Sequence, residues 1–489
     1  MRRNTRENAK LKQKGDGMRK TVVLLLALCL VFSVAHAQPA GVTGADGIGD
    51  PDFPLLGNGG YDAQHYTLDL EADVETNTLS GTVTMTALLT EDVRTFNLDF
   101  ASNFDISLVT LNGQAVNWDR KEHELTIVPL ETPLTAGDQI EVGVTYIGQP
   151  QPVHTIAFPV ELGWMDYGTG VYVADEPDGA ASWYPVNDHP LDKATYTLRI
   201  TVPKPYIVAA NGVLTDTIDN GETTTYVWEE HNPMASYLVT VGIDDFTVQT
   251  AEGPDGLPIR NYFPPDIADQ AAAVFAPTAD MIAFYSDTFG PYPFEAYGVV
   301  VADVDLPFAL ETQTLSLFAR SWLEYGGGLE EAVAHELAHQ WFGDSVSLSR
   351  WGDVWLNEGF ATYASWLWFE HQSGSQTLNN IVVQTYQSLL QHGGDLTPPG
   401  DPPADDLFNT SVYYWGALTL HALRLEVGDA AFFEILRTYY KRYQYGDATT
   451  EDFIAVAEEI SGKDLGDFFD NWLHGETLPD IPSMGLSVR

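Results

Sequence analysis

The segment "AVAHELAHQWFGDSVSLSRWGDVWLNEGFATY", Ala332 to Tyr363, sets two histidines and two glutamates among large apolar residues. His335 and His339 are four positions apart. On a helix that is one turn, so both imidazoles leave the same face. Two imidazoles at that spacing can hold one Zn²⁺, and Glu336 points in an adjacent direction, within reach of a water at the metal. A zinc ion that does chemistry needs a third protein ligand and an open position. Glu358 is the candidate, with eighteen residues between it and His339. That length lets a first helix end near Gly343, turn through "SVSLSRWGDV", and return as a second helix starting near Asn357. A carboxylate in the first turn of that second helix also sits well with the helix dipole. Two histidines merely packed in an apolar helix would need no Asn-Glu-Gly-Phe-Ala at that distance.

Elements of two kinds must position these side chains. From about 61 to 250, alternating segments such as "HYTLDLEADV", "QIEVGVTYI" and "ATYTLRITVP" read as strands, separated by turn clusters such as "DNGET". From 251 to 478 the texture is helical. In "TTEDFIAVAEEISG", Phe453, Val456, Ala457 and Ile460 fall at helical spacing, with Thr449 or Thr450 as N-cap and Gly462 just past the end. Runs of strands followed by runs of helices indicate two domains, a large antiparallel β-sheet domain and then an α-rich one. Residues 38–60, rich in Gly, Pro and Asp, read as a linker, and 479–489 as a short tail.

The first 37 residues stand apart. "MRKTVVLLLALCLVFSVAHA", from Met18, runs from charged to apolar to small residues and ends Ala35-His36-Ala37. That is the order of a cleaved secretory signal peptide, with Met18 an alternative start. The expected product is exported, periplasmic or extracellular, with no membrane anchor once the leader is cut. The single cysteine, Cys29, lies inside the leader, so the mature chain has none with which to form a disulfide. The chain has 23 basic and 69 acidic residues; the leader holds 8 and 2 of these, which leaves 15 against 67. That sign excludes nucleic acid as a partner. A solvated acidic surface is its plain meaning.

With "HELAHQWFGD" followed by "WLNEGFATY", the chain resembles the aminopeptidase N and leukotriene hydrolase family of gluzincin zinc peptidases. Other pieces fall in the family's order. "DEPDGAASWYPVNDHPLDKATYTLRITVP" resembles the strand-rich segment before the catalytic domain. "PFALETQT" stands at the Gly-Ala-Met-Glu-Asn strand, and "SVYYWGALTL" at the Val-Tyr-x-Lys-Gly segment. The resemblance implies a thermolysin-like catalytic domain and one zinc per chain, held by His335, His339 and Glu358. It implies Glu336 as general base and Tyr413 as hydrogen-bond donor to the oxyanion. It also implies Glu311, with Glu176, as the grip on a substrate's free α-amino group. Phe308 stands where the family has Gly, Thr312 where it has Asn, and Trp415 where it has Lys. The large helical C-terminal domain of many members has no counterpart after "FFDNWLHGETLP". Any enclosure made by that domain is expected to be absent or supplied by another subunit.

The expectation is therefore a zinc-dependent aminopeptidase acting on peptides with a free N-terminus. A zinc endopeptidase shares the metal chemistry but has no use for Glu176 and Glu311. A non-catalytic peptide-binding protein on the same scaffold would have lost ligands or Glu336. His189, His371, His392, His421 and His474 have no such context and read as structural or surface residues.

Overall fold

The computed structural model describes residues 43–487 apart from 129–131, 325–328 and 393–395. The expected leader, with Cys29, lies outside the described residues. Period-two patterning produces the sheets. Along Ala194–Pro203 burial alternates at every residue, which is what a pleated strand with one packed face requires. This strand sits inside an eight-stranded sheet. In spatial order the strands are Val213–Asp219, Thr223–Met234, Ala194–Pro203, Tyr61–Asp73, Thr78–Leu89, Gln139–Gly148, Phe104–Leu111 and Gln114–Ala115. All neighbours are antiparallel except Tyr61–Asp73 beside Ala194–Pro203.

A five-stranded sheet contains Glu161–Asp166 paired with Val171–Ala174, and delivers the chain to Glu176. A four-stranded sheet, Thr247–Glu252, Pro258–Phe263, Tyr297–Ala302 and Ser316–Ala319, runs across residue 250, with its last two pairings parallel. The change of texture near 251 marks where helices begin, while strand pairing continues through it.

The helices are α1 (Ala268–Val274), α2 (Thr278–Phe289), α3 (Leu329–His339), α4 (Trp355–Ser373), α5 (Ser375–His392), α6 (Gly416–Val427), α7 (Asp429–Tyr443), α8 (Thr450–Ser461) and α9 (Gly466–His474). In α8 Thr449 accepts from Asp452 N while Thr449 N donates to the Asp452 carboxylate, and Gly462 closes the helix at φ 67°, as the sequence indicates. The central helix α4 is buried from Trp355 to Trp368. Its length of continuous burial explains its lack of a clear polar face. None of the described helices is long and apolar enough to cross a membrane.

The segment expected as a linker is built into the fold from Thr43, which bridges to Thr95, up to Gly60. Asp50 decides this. Its buried carboxylate accepts from His189 Nε2 at 3.1 Å, Trp351 N at 2.8 Å, Asp52 N at 2.8 Å and Phe53 N at 3.1 Å. Phe53 then packs edge-on against Trp351. Composition shows the glycines that allow the tight path but not the buried acid that anchors it.

A second tie joins the β part to the loop behind α3. Lys193 lies at the start of the strand Ala194–Pro203. Its Nζ donates to the carbonyls of Asp344 at 2.7 Å, Ser345 at 3.1 Å and Gly446 at 3.0 Å. Three acceptors fill the three N–H bonds of an ammonium. Lys193→Met would leave these carbonyls without a partner, so we expect stability to fall by about 2–3 kcal/mol. Urea unfolding followed by tryptophan fluorescence measures this, and an unchanged midpoint would reduce the lysine to a surface residue.

Candidate active site

Helix α3 ends at His339, one turn earlier than the expected stop near Gly343. The chain then winds more loosely, with Asp344 N, Ser345 N and Val346 N donating to carbonyls five residues back. Between His339 and that looser stretch, the Phe342 carbonyl lies 3.1 Å from His339 Nδ1. A carbonyl can only accept, so Nδ1 carries the proton and Nε2 presents its lone pair. Thr362 Oγ1, on α4, lies 3.4 Å from His335 Nδ1 and orients the other ring.

Both Nε2 atoms face a common point. They are 2.9 Å apart, and Glu358 Oε2 is 3.2 Å from the first and 3.5 Å from the second. Ligands at bond lengths of about 2.0–2.1 Å around a tetrahedral zinc stand about 3.3 Å from one another. The three donors therefore fit zinc with only small side-chain adjustments. Glu358 enters from the first turn of α4, which starts at Trp355, two residues before Asn357.

Two glycines allow the close approach on which the site depends. A Cβ on Gly359 would sit 3.0 Å from the Gly416 Cα and 3.3 Å from the Val412 carbonyl, and a Cβ on Gly416 would sit 3.0 Å from the Gly359 Cα. So α4 and the start of α6 meet backbone to backbone. Immediately before α6, residues Ser411–Trp415 form a single π-type turn. That turn sets the half-buried Tyr413 ring 6.0 Å from His335, stacked on it, while Tyr414 is 41% exposed. Burial, and then the Glu358 carboxylate, push the Tyr413 hydroxyl well above its usual pKa. It stays protonated and able to donate.

Glu311 comes from the other side. Leu310 pairs with Leu317 by reciprocal backbone bonds of 2.9 and 2.7 Å, which carries Glu311 past the edge of the strand Ser316–Ala319. The buried Gln340 amide donates to the Glu311 carbonyl at 2.9 Å, and its oxygen accepts from Thr314 N at 2.9 Å. The residue after His339 thus clamps this strand to α3. Glu176, Glu311 and Glu358 each offer an oxygen within 4.8 Å of the others, and Glu311 and Glu336 oxygens lie equally close to one another and to a ring nitrogen of His339. Glu176 Oε1 and Glu311 Oε1 are buried without a hydrogen-bond partner.

The electrostatics follow from this crowding. Burial pushes Glu336 well above the usual carboxylate range, and the Glu311 and Glu358 carboxylates add to it, although His339 opposes. Burial and the Glu311 carboxylate raise Glu176 in the same way, and burial raises Glu311. Glu358 is the exception. Burial opposes its charge, yet the adjacent His339 and His335 imidazoles hold it at about 2.

Every site residue named from the sequence lines one cavity of about 430 Å³. The roles of the Phe342 carbonyl, Thr362, Gln340 and the glycine pair were not read from the sequence. Only Gln340, a polar residue beside His339 on an apolar helix, left a signal there.

The model of the peptidase M1 N-terminal domain matches residues 62–238, and that of the peptidase family M1 domain matches 274–472. An M1 zinc metallopeptidase variant from Deinococcus radiodurans, crystallised with the peptide Tyr-Ser-Ala, superposes with a TM-score of 0.80 at 32% identity. That match covers 89% of this chain and 99% of the other.

The chain belongs to peptidase family M1.

Among M1 relatives, aminopeptidase M1-B of Oryza sativa subsp. japonica is 29% identical over 63% of this chain and 37% of its own length. Glutamyl aminopeptidase of Mus musculus is 27% identical over 86% of this chain and 48% of its own. The chain thus spans between about a third and a half of these curated relatives. A two-domain M1 zinc metallopeptidase crystallised with L-tryptophan matches at a TM-score of 0.80 and 33% identity over 99% of its chain. Zinc, the metal of these M1 structures, is the cofactor that the three donors fit.

We expect one zinc ion per chain by elemental mass spectrometry of the purified protein. His339→Ala removes a donor and should leave the protein without stoichiometric zinc. Glu336→Gln removes no donor and should retain it. A metal content that followed Glu336 and not His339 would overturn the ligand set.

Proposed function

We propose that this M1 chain is a zinc-dependent aminopeptidase that removes the N-terminal residue of peptides. The observation that carries this reading is the pair of buried carboxylate oxygens of Glu176 and Glu311, beside the metal triad, that accept no hydrogen bond. Buried charge without a partner is costly. A substrate α-ammonium would supply that partner through charge-assisted hydrogen bonds. Holding the amine there lays the first peptide bond over His335, His339 and Glu358. The aminopeptidase names of several relatives accord with this reading.

When bound, zinc would polarise the scissile carbonyl and acidify the attacking water. The remaining chemistry belongs to the chain. Glu336 accepts the water's proton and returns it to the leaving amine. Tyr413 donates to the carbonyl oxygen as negative charge grows there. The signal-peptide pattern in 1–37 supports export, to the periplasm or beyond.

Two outcomes test the assignment. Tyr413→Phe keeps the ring and removes the hydroxyl, so kcat should drop about a hundredfold while KM hardly changes. If the ring only packs, turnover will survive and thermal stability alone will move. Second, matched peptides with free and acetylated N-termini should behave differently by time-resolved mass spectrometry. The free peptide should shorten one residue at a time, and the acetylated one, with no cation for the two carboxylates, should resist. Glu311→Ala should raise KM for the free peptide and narrow the gap. Internal fragments released from the acetylated peptide at a comparable rate would leave a zinc endopeptidase instead.

A further inference from the structure

The cavity has a wall that the reaction does not use. Phe158, in the loop before the strand Glu161–Asp166, lies 6.2 Å from the Phe308 ring and 6.3 Å from the Phe408 ring, both at near-perpendicular angles of 77° and 80°. Edge-to-face packing of this kind fixes ring positions. The three rings are half-buried and line the cavity, together with Leu162 and Trp322. Trp322 Nε1 donates to the Phe308 carbonyl at 3.0 Å and holds that residue's backbone in place.

The position of this wall relative to the amine grip decides its use. Phe308 precedes Glu311 by three residues on the same segment. Gly163 pairs with Ala174, so Leu162 lies across from the stretch that leads to Glu176. The ring wall therefore flanks both amine-binding carboxylates. An N-terminal residue with its amine at Glu176 and Glu311, and its carbonyl towards His335 and Tyr413, meets the wall of Phe158, Phe308 and Phe408 in the same cavity when its side chain turns away from the metal ligands.

We infer that this aromatic wall makes the substrates peptides with a large aromatic or long aliphatic N-terminal residue, with Phe308 and Phe158 as specificity-determining residues. The inference rests on the aminopeptidase reading for the placement of the amine. A phenyl or indole ring completes the edge-to-face cluster and is removed from water, whereas an alanine methyl leaves the box unfilled. No lysine or arginine lines the cavity among the described residues. An N-terminal glutamate would thus bring a sixth carboxylate into a cavity already lined by Glu176, Glu311, Glu331, Glu336 and Glu358, with no cation to meet it. This sets the chain apart from its relatives named glutamyl aminopeptidases. Phe308, placed where the family has Gly, supplies one of the three rings.

The test is kcat/KM for the zinc-loaded protein on aminoacyl-arylamides of Phe, Tyr, Leu, Ala, Arg and Glu. It is joined by calorimetric binding of free L-Phe, L-Ala and L-Glu to zinc-loaded Glu336→Gln. We expect Phe, Tyr and Leu to exceed Ala by at least about tenfold and Glu by more, with the same order in binding. Phe308→Gly and Phe158→Ala should each narrow the Phe-to-Ala ratio severalfold at unchanged zinc content. Hydrolysis with a flat profile, or one led by Ala, Arg or Glu, would overturn the inference and leave the aminopeptidase reading standing. No hydrolysis of any arylamide, with L-Phe still bound in preference, would overturn that reading and keep the pocket. Binding without preference would overturn the inference whatever the hydrolysis shows.

Discussion

Glu176, Glu311, Glu336 and Glu358 converge on two imidazoles in a site with little access to water. Two like charges about 5 Å apart repel by ~3 kcal/mol at an effective dielectric of about 20, and several such pairs meet here. Left alone, the site would take up protons, and the raised proton affinities of Glu176, Glu311 and Glu336 are that response. A divalent metal and one ammonium would reduce the excess to a single negative charge. Zinc affinity and the grip on a charged N-terminus are in this sense two answers to one constraint. They are also coupled, because Glu358 lies within reach of both sets of groups.

Such a site cannot be held by one helix pair. Glu176 arrives from the five-stranded sheet, Glu311 from beyond the edge of the four-stranded sheet, and the imidazoles and Glu358 from α3 and α4. Repulsion tends to push these elements apart, so ties are needed around the site. Gln340 clamps the Glu311 strand to α3. Lys193 pins the loop after α3 to the large sheet. Asp50 joins the N-terminal segment to Trp351, just before α4. Backbone groups predominate in these ties, which leaves the carboxylates that face the cavity free for ligands.

This division explains what was legible in the sequence. The pairing of His335 with His339 was legible because helix geometry fixes it locally, and Glu358 because a connection of that length can return a second helix. The alternation of Ala194–Pro203 and a threonine N-cap at 449 or 450 were legible from equally local patterns. The Phe342 carbonyl, the Lys193 contacts and the Gly359–Gly416 approach were not, because each depends on residues that meet only after folding. Asp50 was hidden in a segment whose glycines and prolines looked like a linker. Tyr413 and Tyr414 are adjacent and chemically alike, and only the π-type turn separates the ring that stacks on His335 from its exposed neighbour.

The two departures near Glu311 part in the same way. Thr312 is fully buried. Its hydroxyl donates to the Leu315 carbonyl, and Leu315 N returns a bond to the Thr312 carbonyl. The side chain closes the turn that follows Glu311 and presents nothing to the cavity. Threonine in place of asparagine therefore changes how the turn is held, while Glu311 stays on the cavity side. Phe308 lies on the opposite side of Glu311 in sequence, and its ring faces the open space. A large ring there occupies volume that a glycine would leave to the substrate. One departure preserves the geometry of the amine grip and the other reshapes the ground beside it. Selectivity in this scaffold can thus shift at Phe308 without disturbing the charge balance that holds metal and ammonium together.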